Sequence, residues 1–206
     1  MEKRKFIKEY VEPIVIAVLI ALFIRTFVVQ AFKIPSSSME PTLLVGDHIL
    51  VNKFIYGVKI PFTDIKLFQF KNPKRGDVIV FVYPKDRSKD FIKRVIGTEG
   101  DKVEIIRDKI YINNQVIDDP WGHYSEKSDW LRYLQTVERF GPVVVPKGSL
   151  FVLGDNRDNS QDSRFWGFVN TDAVRGKAFI IYFSWDRSAE DILGKIRWTR
   201  FGKLIK

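Results

Sequence analysis

Between Ile14 and Phe32 an apolar run of 19 residues is interrupted only by Arg25, Thr26 and Gln30. As a helix rising about 1.5 Å per residue, the run spans about 28 Å, close to the hydrocarbon thickness of a bilayer. It is apolar all round, and long for a buried core helix, so it predicts a membrane-spanning helix. Arg25 falls in its second half, from where a long side chain can reach the interface. Lys3, Arg4, Lys5 and Lys8 precede the run, which keeps the N-terminus on the cytoplasmic side. The run ends in Val-Val-Gln-Ala-Phe-Lys-Ile-Pro and not in an Ala-x-Ala site, so it reads as a retained anchor, not a cleaved leader.

After Lys33 the period changes. Short apolar or alternating runs predict strands at Ile49–Phe54, Val78–Tyr83, Phe91–Ile96, Lys102–Ile106, Lys109–Ile112, Leu150–Leu153 and Phe179–Ser184. Gly-Asp pairs at Gly46, Gly76, Gly100 and Gly154 punctuate strand ends, and Asn113-Asn114 predicts a hairpin turn, since Asn tolerates positive φ. There is no βαβ rhythm. The fold class expected is all-β, a mainly antiparallel barrel or sandwich with a small β insertion, on a single N-terminal transmembrane helix. The expected organisation is a cytoplasmic N-terminus (1–12), an anchor (13–32), a catalytic domain (33–119 and 147–186), a more polar insertion (120–146) and a basic C-terminal segment (187–206).

Composition narrows the chemistry. Of 206 residues none is Cys, which excludes disulfides, thiolate metal sites and a cysteine nucleophile. Lys+Arg number 34 against 25 Asp+Glu, a net charge of +9 that suits nucleic acid or an anionic membrane surface. The anchor decides for the membrane, and no nucleic-acid partner is expected. The basic segment after Arg187, with Trp198 and Phe201, fits either an interfacial stretch, with Trp185 and Trp198 as candidates for burial there, or a solvated last element.

Three segments carry more chemistry than a generic β-domain needs. Ile34-Pro35-Ser36-Ser37-Ser38-Met39-Glu40-Pro41-Thr42-Leu43 places three hydroxyls between two backbone-restricting prolines, which fits a nucleophile loop or a Ser-rich linker. In Phe91-Ile92-Lys93-Arg94-Val95-Ile96-Gly97, Lys93 shares a strand face with Phe91 and Val95. If that face points inward, desolvation lowers the amine pKa and makes Lys93 a general base; at an edge its ammonium would sit in water. Gly154 to Arg164 holds three Asp, two Asn, two Arg and two Ser. Asp158, Ser160 and Asp162 have calcium-ligand spacing, but the Gly and Glu that close such a loop are missing. Asp–Arg pairs locking a positioning loop fit better.

Together these segments closely resemble the bacterial type I signal peptidase family (leader peptidases). Pro35 to Leu43 resembles its nucleophile box, Arg75-Gly-Asp-Val-Ile-Val-Phe81 its core strand, Lys93-Arg-Val-Ile-Gly97 its general-base box, and Gly154 to Arg164 its closing box. They occur in the family's order behind an anchor. Ser37, where Gly is frequent, and Phe91, where Tyr is frequent, depart from the pattern. The stretch from Lys93 to Gly154 is short for the family and implies a reduced second β-domain.

The resemblance implies a membrane-bound serine endopeptidase that removes signal peptides from secretory preproteins after Ala-x-Ala-type sites. Ser38 would be the nucleophile and Lys93 the base, with the oxyanion held by the Ser38 N–H and the Ser36 hydroxyl. Ser160 would orient Lys93, with Asp155, Asp162 and Arg164 supporting the loop. Ile34, Pro35, Met39, Leu43, Phe91 and Ile92 would line pockets for small side chains. No cofactor or metal is implied, and the partners are preproteins and the phospholipid bilayer. The site would face the extracytoplasmic side of the cytoplasmic membrane. A Ser/Lys peptidase dedicated to one partner, and a noncatalytic membrane-tethered β-domain, remain as alternatives.

Overall fold

The computed structural model describes residues 7–59, 66–67, 70–124, 139–191 and 194–206. A helix, α1 (Glu12–Phe23), is continued by wider turns at Ile7–Val11 and Ile24–Val28. The span Glu9–Val28 is 20 residues long and, among the described residues, none of it is buried, so the side chains of α1 face outward on all sides. That fits a membrane anchor.

The helix ends four residues before the apolar run does. Val29–Lys33 forms strand β1, paired antiparallel with β2 (Asp47–Asn52) in the register Val29↔Asn52 to Lys33↔His48. The helical part therefore stops at Val28, within the 13–32 stretch expected as the anchor. An apolar Val-Gln-Ala-Phe stretch satisfies either period, and the partner strand decides. β2 in turn ends two residues short of the expectation, because the Asn52 Oδ1 accepts from Ile55 N at 3.1 Å and starts a tight turn at Phe54–Tyr56.

The remaining strands are β3 (Val58–Lys59), β4 (Lys66–Leu67), β5 (Val78–Val82), β6 (Asp90–Gly97), β7 (Lys102–Ile106), β8 (Lys109–Ile112), β9 (Gln115–Val116), β10 (Arg139–Val144), β11 (Ser149–Leu153), β12 (Val169–Asn170), β13 (Val174–Ser184) and β14 (Lys203–Leu204). The main sheet runs β1-β2-β13-β5-β6-β11-β12, with β14 added on β13. Every strand pairing among the described residues is antiparallel.

A second sheet of four strands runs β10-β7-β8-β9. It takes 102–116 as well as 139–144, so the small sheet starts well before residue 120. The reason is long-range pairing: β10 docks on β7, with a bulge between Phe140 and Val143. Part of the stretch 120–146 lies outside the described residues. Asn113 and Asn114 make the hairpin turn with φ of 53° and 66°. Of the four Gly-Asp pairs at strand ends, Gly46, Gly76 and Gly100 take positive φ and Gly154 does not.

Two apolar clusters fill the main sheet's two faces. One joins Ile34, Met39, Leu43, Ile49, Val51, Val78, Val80 and Ile181; the other joins Tyr56, Ile79, Phe81, Val95, Leu150 and Val152. A third, with Ile96, Val103, Ile110, Phe151 and Leu153, welds the small sheet to β6 and β11. The basic C-terminal segment is woven into this domain. Arg200 forms a buried ion pair with Asp47 at 2.5 Å and donates to Thr42 O at 2.9 Å, and Ile205 joins the first cluster. Trp198 is 62% exposed and stacks on Phe201.

Candidate active site

Residues 34–46 form a loop closed at its base by two backbone bonds, Ile34 N to Asp47 O at 2.8 Å and Gly46 N to Ile34 O at 3.0 Å. Its apolar residues fasten it: Met39 and Leu43 are fully buried and Ile34 is 2% exposed. Glu40 N donates to Ser37 O and Leu43 N to Met39 O, coiling the chain after Ser38 into a single turn. The Ser-rich segment is thus held in place and is not a linker.

The closing loop grips it from the other side. Asn156 donates from its backbone N to Ser38 O (3.1 Å) and from Nδ2 to Ser37 O (3.2 Å), and Asn159 Nδ2 donates to Ser37 Oγ at 2.9 Å. Gly154 lies so close that a Cβ there would sit 2.4 Å from Ser38 O and 2.2 Å from Ser160 Oγ. Asp162 braces the turn: it accepts from Gly154 N at 3.1 Å and from the Arg164 guanidinium at 2.8 Å, and caps the short helix α2 (Ser163–Trp166) by accepting from Arg164 N. Arg164 also donates to Arg157 O at 2.7 Å.

Lys93 reaches this loop from β6. It is 3% exposed, on the strand face shared by Phe91 and Val95, and its Nζ donates to Ser38 Oγ at 2.6 Å. Burial is the main cause that pushes its amine down to about 8. Asp162 and Asp155 pull upward against it, and the Arg164 guanidinium adds to the lowering. At pH 7 about a tenth of the amines are then neutral, against about one in a few thousand for an exposed lysine. A neutral amine within hydrogen-bond distance of a hydroxyl can take its proton, so the pair has the geometry that a nucleophile and a base require.

The other expected residues divide. Asp155 engages Arg94 from both carboxylate oxygens, at 2.8 and 2.6 Å, and does not bond to Lys93. Ser160 is buried beside the pair, but its Oγ has no hydrogen-bond partner, so the bond expected to Lys93 is not formed. Its neighbours are Gly154 and the Ser38 carbonyl. Ser36 is exposed, two residues before Ser38. Of the residues expected to line pockets, Pro35 is exposed and Phe91 and Ile92 are half-buried. Ile34, Met39 and Leu43 lie beneath the surface as its apolar floor. His48 bonds to Gly46 O through its ring, and neither His48 nor His123 is bonded to Ser38 or Lys93.

Asn156, Asn159, Arg94 and Thr42 carry no predicted role, yet they hold the site. Thr42 Oγ1 donates to Asp155 at 2.6 Å, and so ties the nucleophile loop to the Arg94–Asp155 pair. For Asn156 and Asn159 the signal in the sequence was the polar density of the closing loop, without any indication of which partner each would find; Arg94 and Thr42 stood in the two other segments with no role marked. Among the described residues no group of three or more His, Asp or Glu is placed to hold a metal ion.

The family described as "Signal peptidase, peptidase S26" matches residues 7–185, which include every residue of this site. The chain belongs to that family. Signal peptidase I of Pseudomonas aeruginosa is 38% identical over 90% of this chain and 75% of its own length. Signal peptidase I of Aquifex aeolicus is 38% identical over 86% of the chain and 84% of its own length. A solved signal peptidase I from Enterococcus faecalis shares 33% identity over 52% of the chain and 97% of its own, with a TM-score of 0.41. This signal peptidase is thus a serine endopeptidase of the S26 type, and its N-terminal apolar helix fits a membrane-anchored protein.

Proposed function

We propose that this signal peptidase cleaves secretory preproteins after Ala-x-Ala-type sites with Ser38 as nucleophile and Lys93 as general base. The observation that carries the reading is the 2.6 Å contact between Lys93 Nζ and Ser38 Oγ, made by an amine whose burial brings its pKa down to about 8. Neutral Lys93 takes the hydroxyl proton as Ser38 Oγ bonds to the scissile carbonyl carbon. The tetrahedral oxyanion is held by the Ser38 N–H and by the Ser36 hydroxyl turned inward; one such donor is typically worth about 10²–10³ in turnover. The C–N bond then breaks, Lys93 passes its proton to the leaving amine, and water, deprotonated by Lys93, releases the acyl group.

The small-residue preference follows from the floor. Met39 and Leu43 are fixed in the core, so the pockets over them are shallow and cannot deepen for a large side chain. The signal segment lies extended along Pro35 on one side and Phe91–Ile92 on the other, as an added strand. The N-terminus is cytoplasmic and the β-domain extracytoplasmic, as the charges before the helix direct.

The test is cleavage of a purified preprotein in detergent by the wild type, Ser38→Ala and Lys93→Ala. Product ending after Ala-x-Ala, absent with both variants while each stays folded, is the expected result. Continued cleavage by Lys93→Ala would overturn the base assignment.

A further inference from the structure

After β9 the chain leaves the small sheet and crosses to the far side of the closing loop. His123 N donates to Asp155 O at 2.7 Å and Arg157 N donates to His123 O at 2.9 Å, so His123 stands opposite Asn156 as a single parallel rung outside the strands. Both bonds use the neighbours of Asn156. Asn156 itself faces the other way, with its backbone N–H on Ser38 O and its Nδ2 on Ser37 O. Three layers of chain thus lie side by side: 119–123, 155–157 and 37–38.

A buried ion pair fastens the outer layer to the middle one. Arg157 is 2% exposed; its Nη2 donates to Asp119 Oδ1 at 3.0 Å and its Nη1 lies 2.8 Å from Oδ2. Its Nε makes no hydrogen bond, and among the described residues Asp119 is the carboxylate paired with this guanidinium. The pair packs on the bare Cα of Gly122, where a Cβ would lie 2.5 Å from Asp119 Oδ2 and 3.2 Å from Arg157 Cζ. Trp121 covers the Arg94 guanidinium at 4.5 Å, and a Cβ at Gly76 would come within 3.1 Å of its ring. An arginine keeps its charge when buried, so Arg157 needs Asp119 to stay inside. No step of the cleavage uses Asp119, which leaves its place behind Asn156 to be explained.

We propose that Asp119 is a positioning residue for Ser38. Its ion pair fixes Arg157, the His123 rung fixes the backbone on either side of Asn156, and Asn156 holds the peptide that carries the nucleophile. Without the pair the closing loop relaxes away from residues 37–38, and the 2.6 Å approach of Lys93 Nζ to Ser38 Oγ is lost. A displacement of about 1 Å is enough to cost about 10²-fold in turnover. The segment after the small sheet thereby sets the geometry of the site without giving it a reacting group. The proposal rests on the reading of Ser38 as the nucleophile.

The full chain carrying Asp119→Asn is compared with the wild type on a preprotein in detergent, with enzyme in excess. Single-turnover rates at saturation are read, because an unfolded fraction does not lower them. The saturating rate should fall about 10- to 100-fold with the half-saturating concentration within about twofold. The pH limb of kcat/KM should stay where it is in the wild type. Combined with Asn156→Ala, the loss should be smaller than the product of the two single losses, because both act on one peptide. Should Asp119→Asn fail to fold, Asp119→Asn with Arg157→Met leaves no unpaired buried charge and is read in the same way. An unchanged saturating rate, a loss confined to half-saturation, or a double-variant loss equal to the product would overturn the proposal. So would a shifted pH limb, since Asp119 would then act on the charge of Lys93 and not on the place of Ser38. Failure of both variants to fold would make the pair a requirement of folding, not of positioning, and would also overturn it. Cleavage persisting in Ser38→Ala would instead overturn the underlying reading.

Discussion

Lys93 and Arg94 are neighbours on β6, point to opposite faces of it, and are both buried, at 3% and 0% exposure. The two faces treat a buried cation in opposite ways. Arg94 is surrounded by acceptors: Asp155 bidentately, Gly76 O at 2.7 Å and Lys206 O at 2.9 Å, with the Trp121 ring 4.5 Å from its guanidinium. Its charge is kept and used as glue, a choice suited to a group that does not deprotonate. Lys93 meets a serine hydroxyl and apolar walls, with no carboxylate bonded to its amine. Its desolvation is relieved by losing the proton. On the proposed mechanism, what suits Lys93 to act as a base is its burial without the bonded carboxylate that its neighbour has been given.

The comparison breaks hardest where the chemistry is. Ser38→Ala or Lys93→Ala should lower preprotein cleavage by on the order of 10⁴ or more, since members of a nucleophile–base unit act together. Removing the partner on the other face should unfold the protein before it silences it. Asp155→Asn leaves Arg94 buried and unpaired, a loss of about 3–5 kcal/mol, seen by calorimetry as a fall in Tm of about 10 °C.

A smaller effect sharpens how the faces are coupled. Gly154→Ala drives a methyl into Ser38 O and Ser160 Oγ. Moving the nucleophile by about 1 Å can cost about 10²-fold in turnover, measured as kcat with the fold intact by circular dichroism.

The smallest is a stability difference with a definite sign. The folded pKa of Lys93 lies below its unfolded value, so the protonated form opposes folding. That cost is full below about 8 and vanishes above about 10.4, hence stability should rise with pH across this window. Lys93→Met, which removes the amine, should be more stable than wild type by about 3 kcal/mol at pH 7 in denaturant titrations, with the gap closing by about pH 10.5.

Much of this architecture can be read locally. The anchor follows from a uniform apolar run, and the hairpin at Asn113–Asn114 and the turns at Gly46, Gly76 and Gly100 follow from residues that accept positive φ. The apolar face around Lys93 follows from period two on β6. What the sequence leaves open is set by partners far along the chain. Val29–Lys33 becomes a strand only because β2 lies beside it, and β10 joins the small sheet only through β7. Asp47 is paired with Arg200, and Ser37 is clamped by Asn159, across gaps no local pattern spans. The same holds within the site: that Met39 and Leu43 are fully buried beneath Ser38 follows from loop closure, which no local pattern shows.

The central claim is that Lys93 works as a neutral amine because burial desolvates it and no carboxylate bonds to it strongly enough to offset that. The most direct test is kcat/KM for preprotein cleavage as a function of pH, which reports the free enzyme's ionisations. The account predicts an activity that climbs through an apparent pKa of about 8 and then levels off. A limb near the ordinary lysine value of about 10.4, or one near a histidine's 6.5 or so, would contradict it.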